Sequence, residues 1–170
     1  SEQTLGENPD LYVVKSISKS YGVPGLRLGI LASGNAELIS KLKKRVSIWN
    51  INSLAEFFMQ ILDKYKNEYA VSLKQIRAER HRFYEKLCEI PSLKVYPSQA
   101  NYFMCELRGG CSSAELAGKL LKRNILIKDL TGKIRDGKQY IRIAIRTEEE
   151  NSRLIEVLRE ELLGNVKHLV

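Results

Sequence analysis

A lysine amine, two hydroxyls and a guanidinium fall in one short stretch of the chain: Ser16, Ser18, Lys19 and Arg27. Lys19 follows a strand end within a turn of small and hydroxyl side chains; taken alone it reads as a surface lysine, and its surroundings single it out. Hydroxyls with a guanidinium suit a phosphate, because they offer charge-assisted hydrogen bonds to its oxygens. Gly22, Gly25 and Gly29 punctuate the same stretch and permit a main chain that approaches a ligand closely. No Gly-Lys-Ser/Thr sequence of the Walker type accompanies them, so a nucleotide-binding loop is not indicated.

A second group of cations lies far along the chain. From Tyr140 to Arg146 the residues alternate, with Ile141, Ile143 and Ile145 on one face and Arg142, Ala144 and Arg146 on the other. Two guanidiniums flanking a small residue suit an anion. From the residues alone, pairing of both with surface carboxylates is the plainer reading. Other eye-catching residues invite little chemistry. His81 falls on the polar side of a helix and His168 in the C-terminal tail, without partners for a dyad. Tyr21 and Trp49 could line a cofactor or a subunit boundary, with packing the plainer role. Glu148, Glu149 and Glu150 stand at a helix N-terminus, where the helix dipole stabilises negative charge. Cys88, Cys105 and Cys111 are odd in number and lack metal-ligand or disulfide-framework spacing, which points to reduced, partly buried thiols.

The string S-x-S-K-x-x-G-x-x-G-x-R-x-G, from Ser16 to Gly29, resembles the cofactor-lysine segment of fold-type I pyridoxal-phosphate aminotransferases, especially the histidinol-phosphate aminotransferase branch. Asn52 to Ala55, Ser98 to Tyr102 and Tyr140 to Ile143 look like further landmarks of that branch, in the expected order. The resemblance implies pyridoxal 5'-phosphate as cofactor, held by Lys19 as a Schiff base, with Ser16, Ser18 and Arg27 on its phosphate. It also implies that Arg142 binds the carboxylate or phosphate of the substrate. Arg146 stands where the aminotransferases more usually carry glycine and is similar to the related threonine-phosphate decarboxylases, while Lys128 replaces a more usual arginine. The implied reaction transfers an amino group between an amino acid or phosphorylated amine and an oxo acid. The alternatives are decarboxylation of a phosphorylated amino acid and a non-catalytic truncated domain. A homodimer is implied for the intact protein.

The elements that must position these groups can be read from pattern. Residues 1 to 10 read as loop, Leu11 to Val14 and Leu28 to Leu31 as strands flanking the Lys19 turn, and Asn35 to Val46 as a helix whose apolar face is Leu38, Ile39 and Leu42. Ser53 to Glu56 has the capping-box form, so a helix should start there. Helical spacing then continues to residue 88, as two helices or one bent one. After Pro91, strands are expected at 93–96, 101–107, 125–128 and 140–146. Helices should open at the Ser112/Glu115 and Thr147/Glu150 caps, the last one stopping at Gly164. Ile141, Ile143, Ile145, Leu154 and Leu158 should be buried.

The fold class expected is therefore α/β, the C-terminal part of the fold-type I transferase fold. It comprises a large-domain remnant at 1–52, a helical connector at 53–90 and a small α+β domain at 91–170. In the resembled family the acid against the pyridine nitrogen, the stacking ring and the phosphate cradle all precede the lysine. The chain alone is thus expected to be inactive. Its net charge of +8 is spread among acids without an aromatic-and-basic RNA motif or zinc-finger spacing, which argues against nucleic acid. No window is long and apolar enough for a membrane span, and the first residues are too polar for a secretory signal, so a cytoplasmic protein is expected.

Overall fold

The first ten residues depart from expectation. In the computed structural model, which describes residues 2–163, they contain helix α1 (Glu2–Glu7) rather than loop alone. A Cβ at Gly34 would collide with the main chain of Leu5, so α1 lies tight against a segment nearly thirty residues away. No apolar period in so short a window announces such a contact. Two compact units follow from the pattern of contacts, Ser1–Val71 and Ser72–Val170.

In the first unit, β1 (Tyr12–Ser16) pairs antiparallel with β2 (Gly29–Ser33), Tyr12 opposite Ser33 and Ser16 opposite Gly29. The strands are apolar on both faces, and Val14 and Ile30 are exposed. Between them stand the single-turn helix α2 (Ile17–Ser20) and a 3-10 turn at Pro24–Leu26. Helix α3 (Ala36–Arg45) begins where Asn35 Oδ1 accepts from the Leu38 N–H at 2.9 Å, and its half-buried residues are Leu38, Ile39 and Leu42, as the spacing predicts. Helix α4 (Ser53–Ile61), a 3-10 turn at Leu62–Tyr65 and helix α5 (Lys66–Cys88) complete the helical run, the division between units falling inside α5. The cap of α4 is Asn52, whose Oδ1 accepts from the Ala55 N–H at 2.9 Å; Ser53, expected as the cap, is the first helical residue. Asparagine and serine serve equally well as N-caps, so composition could not choose between neighbours.

The second unit is a four-stranded antiparallel sheet in the order β3-β4-β6-β5, formed by β3 (Leu93–Tyr96), β4 (Tyr102–Leu107), β5 (Lys128–Asp129) and β6 (Gln139–Ala144). Helices α6 (Ser113–Lys122) and α7 (Glu148–Leu163) belong to the same unit. Phe83 and Leu87 of α5, Phe103 and Cys105 of β4, Leu116 and Leu120 of α6, Ile141 and Ile143 of β6, and Leu154 and Leu158 of α7 are buried in one cluster, with Ile145 packed partly against it. The register is the one expected, since Arg142 is exposed and its isoleucine neighbours are inside. Burial pushes the Cys105 thiol up to about 12, consistent with an unreactive core residue. Both expected caps form: Ser112 Oγ accepts from Glu115 N–H, and Thr147 and Glu150 bond reciprocally. Gly164 and His168 lie outside the described residues.

Two strands are shorter than expected. Asn124 is left-handed (φ 59°) and the Ile125 N–H returns to the Leu120 carbonyl, so residues 124–127 close α6 and leave only Lys128–Asp129 to pair. β6 stops at Ala144; the Ile145 N–H still reaches the Asn101 carbonyl at 2.9 Å, and Asn151 then takes over the main-chain groups of Arg146. Its Oδ1 accepts from the Arg146 N–H at 3.0 Å, and its Nδ2 donates to the Arg146 carbonyl at 3.0 Å and to Glu79 Oε1 at 2.7 Å. Glu79 in turn receives both Nε and Nη2 of Arg82 at 2.8 Å.

This network makes stability pH-dependent. The hydrogen bond from Arg82, with help from Asn151, holds the Glu79 carboxyl below its ordinary value of 4.5. Its native value is thus lower than its unfolded one. The contribution is fully present above about pH 4.5 and is lost as pH falls through the native value. Glu79→Gln should flatten the acid limb of the thermal unfolding midpoint against pH while changing the neutral plateau less. An unaltered acid limb would show that other carboxylates set it.

Candidate active site

The turn between β1 and β2 brings four of the expected residues into one loop of the first unit. Ser16 ends β1 and stands at the N-cap of α2, with extended dihedrals and no side-chain cap bond. Ser18 and Lys19 lie in that single helical turn, Ser18 half-buried and Lys19 exposed. Among the described residues, the side chains of Ser16, Ser18 and Lys19 have no hydrogen-bond or ion-pair partner, so two hydroxyls and one amine remain available.

Arg27 closes the loop. It is exposed, adopts the left-handed conformation (φ 51°) that caps the 3-10 turn, and its Nη1 reaches only the Pro24 carbonyl at 3.4 Å. Among the described residues, no carboxylate lies within ion-pair distance of it. Buried Ile17 pins the loop from beneath, its N–H donating to the Leu28 carbonyl at 3.0 Å. Gly22, at φ 68°, supplies the reversal after α2 at a conformation costly for any other residue. Gly25 has nothing within 4 Å of where a side chain would begin, which leaves open space over that main chain.

The donor set fits pyridoxal phosphate on two counts: an unpaired amine for the aldehyde, and two free hydroxyls with an uncompensated guanidinium for the phosphate.

The expected anion-binding arginines lie in the second unit and differ from each other. Arg142 projects from the sheet face opposite the core, its guanidinium carbon 5.2 Å from the centroid of Tyr102, a cation–π arrangement. Directly across the ladder, its Cα partner on β5 is Lys128. Like charges opposite one another on one sheet face repel, which disfavours the pairing unless an anion is present. Neither cation is within ion-pair distance of a carboxylate among the described residues. Asp129, the nearest acid in sequence, bonds Thr131 and Ser113, the Thr131 hydroxyl first among the causes that hold its carboxyl below the ordinary range, with the charge of Lys128 a smaller one.

Arg146 is different. It lies beyond the end of β6, its Nε donates to Glu150 Oε1 at 2.8 Å, and that bond leads the causes lowering the Glu150 carboxyl. The alternation that seemed to align Arg142 with Arg146 therefore stops short of the second arginine. The Lys128–Arg142 juxtaposition could not be read from sequence, because it depends on how the loop from Leu130 to Lys138 returns β6 against β5.

Trp49 is 88% exposed and Ile48 89%, with Leu54 and Phe57 also exposed, so the packing role expected of Trp49 is not what this fold gives it. Tyr21 is packed, stacked on Tyr69 with centroids 4.4 Å apart.

Comparison with known proteins agrees with this architecture. The family model described as aminotransferase class I and II matches residues 2–158. Among curated proteins, the CMP-5'-(3-aminopropyl)phosphonate synthase of Streptomyces rubellomurinus is 36% identical over 94% of this chain and 26% of its own length. The threonine-phosphate decarboxylase of Salmonella typhimurium is 33% identical over 94% of this chain and 43% of its own length. Among solved structures, the histidinol-phosphate aminotransferase of Clostridium acetobutylicum superimposes with a TM-score of 0.85 at 30% identity, over 96% of this chain and 49% of that one. The chain thus spans less than half the length of each of these proteins.

Proposed function

Because the chain belongs to the class I and II aminotransferases, with the fold-type I fold and the pyridoxal-phosphate dependence of that family, we propose that it is the lysine-bearing portion of an amino-transferring enzyme that acts on an amine carrying an anionic group. The observation that carries the substrate class is the cross-strand pair of Arg142 and Lys128, two cations opposite each other on one face, neither in an ion pair among the described residues. Such a pair favours a phosphate or phosphonate over a single carboxylate, since two positive charges match a dianion.

Bound at the Lys19 turn, pyridoxal phosphate supplies an electron sink for the bond that breaks at the substrate carbon. Ser16, Ser18 and Arg27 hold and orient its phosphate. Lys19 Nζ would hold the cofactor through its aldehyde carbon. With substrate bound, Lys19 Nζ would serve as the base that takes the proton from the substrate carbon and as the acid that returns it; release of an oxo product would consume one water and leave the amino group with the cofactor. Arg142, with Lys128 opposite it on the same sheet face, is assigned to the substrate's acidic group. Arg146 contributes less, because Glu150 already neutralises it.

A second reading, decarboxylation of a phosphorylated amino acid, is favoured by Arg146 and by the similarity to the threonine-phosphate enzyme. There the bond to the carboxylate breaks, carbon dioxide leaves, and Lys19 Nζ returns a proton to the substrate carbon.

We assign residues 1–52 to a remnant of the cofactor-binding domain, 53–90 to the connector and 91–170 to the small domain. The two-sided apolar character of β1 and β2 supports this, since strands of that kind belong to sheets covered on both faces. The exposed run at Ile48 and Trp49 supports a homodimer in the full-length enzyme.

The test is to assay the full-length enzyme with carboxylated, phosphorylated and phosphonylated amines side by side, following both oxo product and carbon dioxide. Oxo product from phosphorylated or phosphonylated amines is expected. Carbon dioxide without oxo product would establish the second reading in its place, and activity confined to carboxylated amines would overturn the role given to Lys128.

A further inference from the structure

We infer that Tyr69 and Asn52 are positioning residues for the turn carrying Lys19 and Arg27, gripping it at both ends through its main chain. The inference rests on the cofactor role proposed for Lys19. The Tyr69 hydroxyl donates to the Ser20 carbonyl at 2.9 Å, one residue beyond Lys19. Its ring stacks on Tyr21, planes 21° apart, and Phe58 of α4 meets the far edge of Tyr21 at 6.0 Å between centroids. At the other end, Asn52 Nδ2 donates to the Leu26 carbonyl at 2.9 Å, one residue before Arg27. The same side chain caps α4 through Oδ1, so one amide joins the start of that helix to the close of the loop.

The turn needs such support. A helix of four residues is too short to hold itself, since nucleation is unfavourable without a longer run of bonds, and α2 has no side-chain cap. Arg27 holds a left-handed conformation that non-glycine residues adopt only when their surroundings impose it. The local bonds present, Tyr21 N–H to the Ile17 carbonyl and Val23 N–H to the Ser18 carbonyl, shape the turn without anchoring it to another element. Asn52 and Tyr69 supply that anchorage from outside the loop. A lysine on a flexible four-carbon stem reaches one point reproducibly only if its Cα is held, so the brace sets where Nζ can go.

Two conservative variants separate this role from folding. Tyr69→Phe keeps the stack on Tyr21 and removes the bond to Ser20. Asn52→Asp keeps the cap acceptor and removes the donor to Leu26.

The full-length enzyme is incubated with pyridoxal phosphate, reduced with borohydride and mapped by peptide mass spectrometry. Labelling of Lys19 is read against exposed Lys44 of α3 as internal reference. Amide hydrogen exchange of residues 17–27 and the thermal midpoint are measured on the same samples. Wild type should label Lys19 preferentially. Each variant should lower the Lys19 to Lys44 ratio about three- to tenfold, the effect of one lost hydrogen bond. Exchange in 17–27 should quicken while the midpoint stays near wild type.

A wild-type preference that survives in both variants overturns the brace and leaves the cofactor role of Lys19 intact. Faster exchange in 17–27 with an unchanged ratio shows a structural tie only, and also overturns it. Faster exchange throughout the first unit with a lowered midpoint assigns the loss to folding. Absence of any Lys19 preference in wild type removes the cofactor reading, and the brace falls with it.

Discussion

Lys19→Ala in the full-length enzyme should abolish the visible absorption of covalently held cofactor and lower turnover at least about 10³-fold, with substrate affinity changed far less. A positioned proton-transfer group contributes roughly 10²- to 10⁴-fold by itself, and the covalent tie adds to that. The turn makes this lysine the candidate rather than its neighbours. Lys15 lies within β1, where its main chain is committed to the ladder opposite Ile30. Lys41, on the outside of α3, pairs with Glu37. Lys19 alone in this loop follows two free hydroxyls and precedes an uncompensated arginine. Exogenous small amines should restore part of the lost turnover, because the pocket would still hold the phosphate. Retention of both absorption and turnover by the alanine variant would assign the chemistry to a different lysine.

Arg142→Ala should cost ten- to hundredfold in kcat/KM for a phosphorylated amine, equivalent to about 1.5–3 kcal/mol for a lost charge-assisted hydrogen bond in a partly desolvated site. Lys128→Ala should follow in the same direction with a smaller effect, since an ammonium binds phosphate as a point charge without the fork of a guanidinium. Arg146→Ala should cost least of the three, because its Nε is already committed to Glu150. In a substrate that lacks the second negative charge, the Lys128 effect should nearly vanish. An Arg146→Ala loss exceeding that of Arg142→Ala would mean that the Glu150 pair opens on binding and that the roles are reversed.

The parts that proved legible were those with strong local rules. Burial of Ile141 and Ile143 followed from an unbroken period of two, which leaves a strand one register in which its apolar face is inside. The Ser112/Glu115 and Thr147/Glu150 caps followed from side chains that bond their own neighbouring main chain. The Lys19 turn was marked by residue types and spacing held within one loop. Its neighbours could be named because chain connectivity alone keeps them close.

Tertiary structure decided what depends on distant pairing. The helix at Glu2–Glu7 exists against Gly34, and beyond the end of β6 Asn151 takes over the main chain of Arg146. Lys128 meets Arg142 only once the intervening loop has set the β5–β6 register. Tyr69 and Asn52 reach the Lys19 turn from 49 and 26 residues beyond the carbonyls they bind. By itself the sequence determined which groups could do chemistry and which faces had to be buried, since propensity, periodicity and capping act over a few residues. Which cation has a counter-ion, and what braces the lysine, was decided by the fold, since hydrogen bonds and charges act through space without regard to separation along the chain.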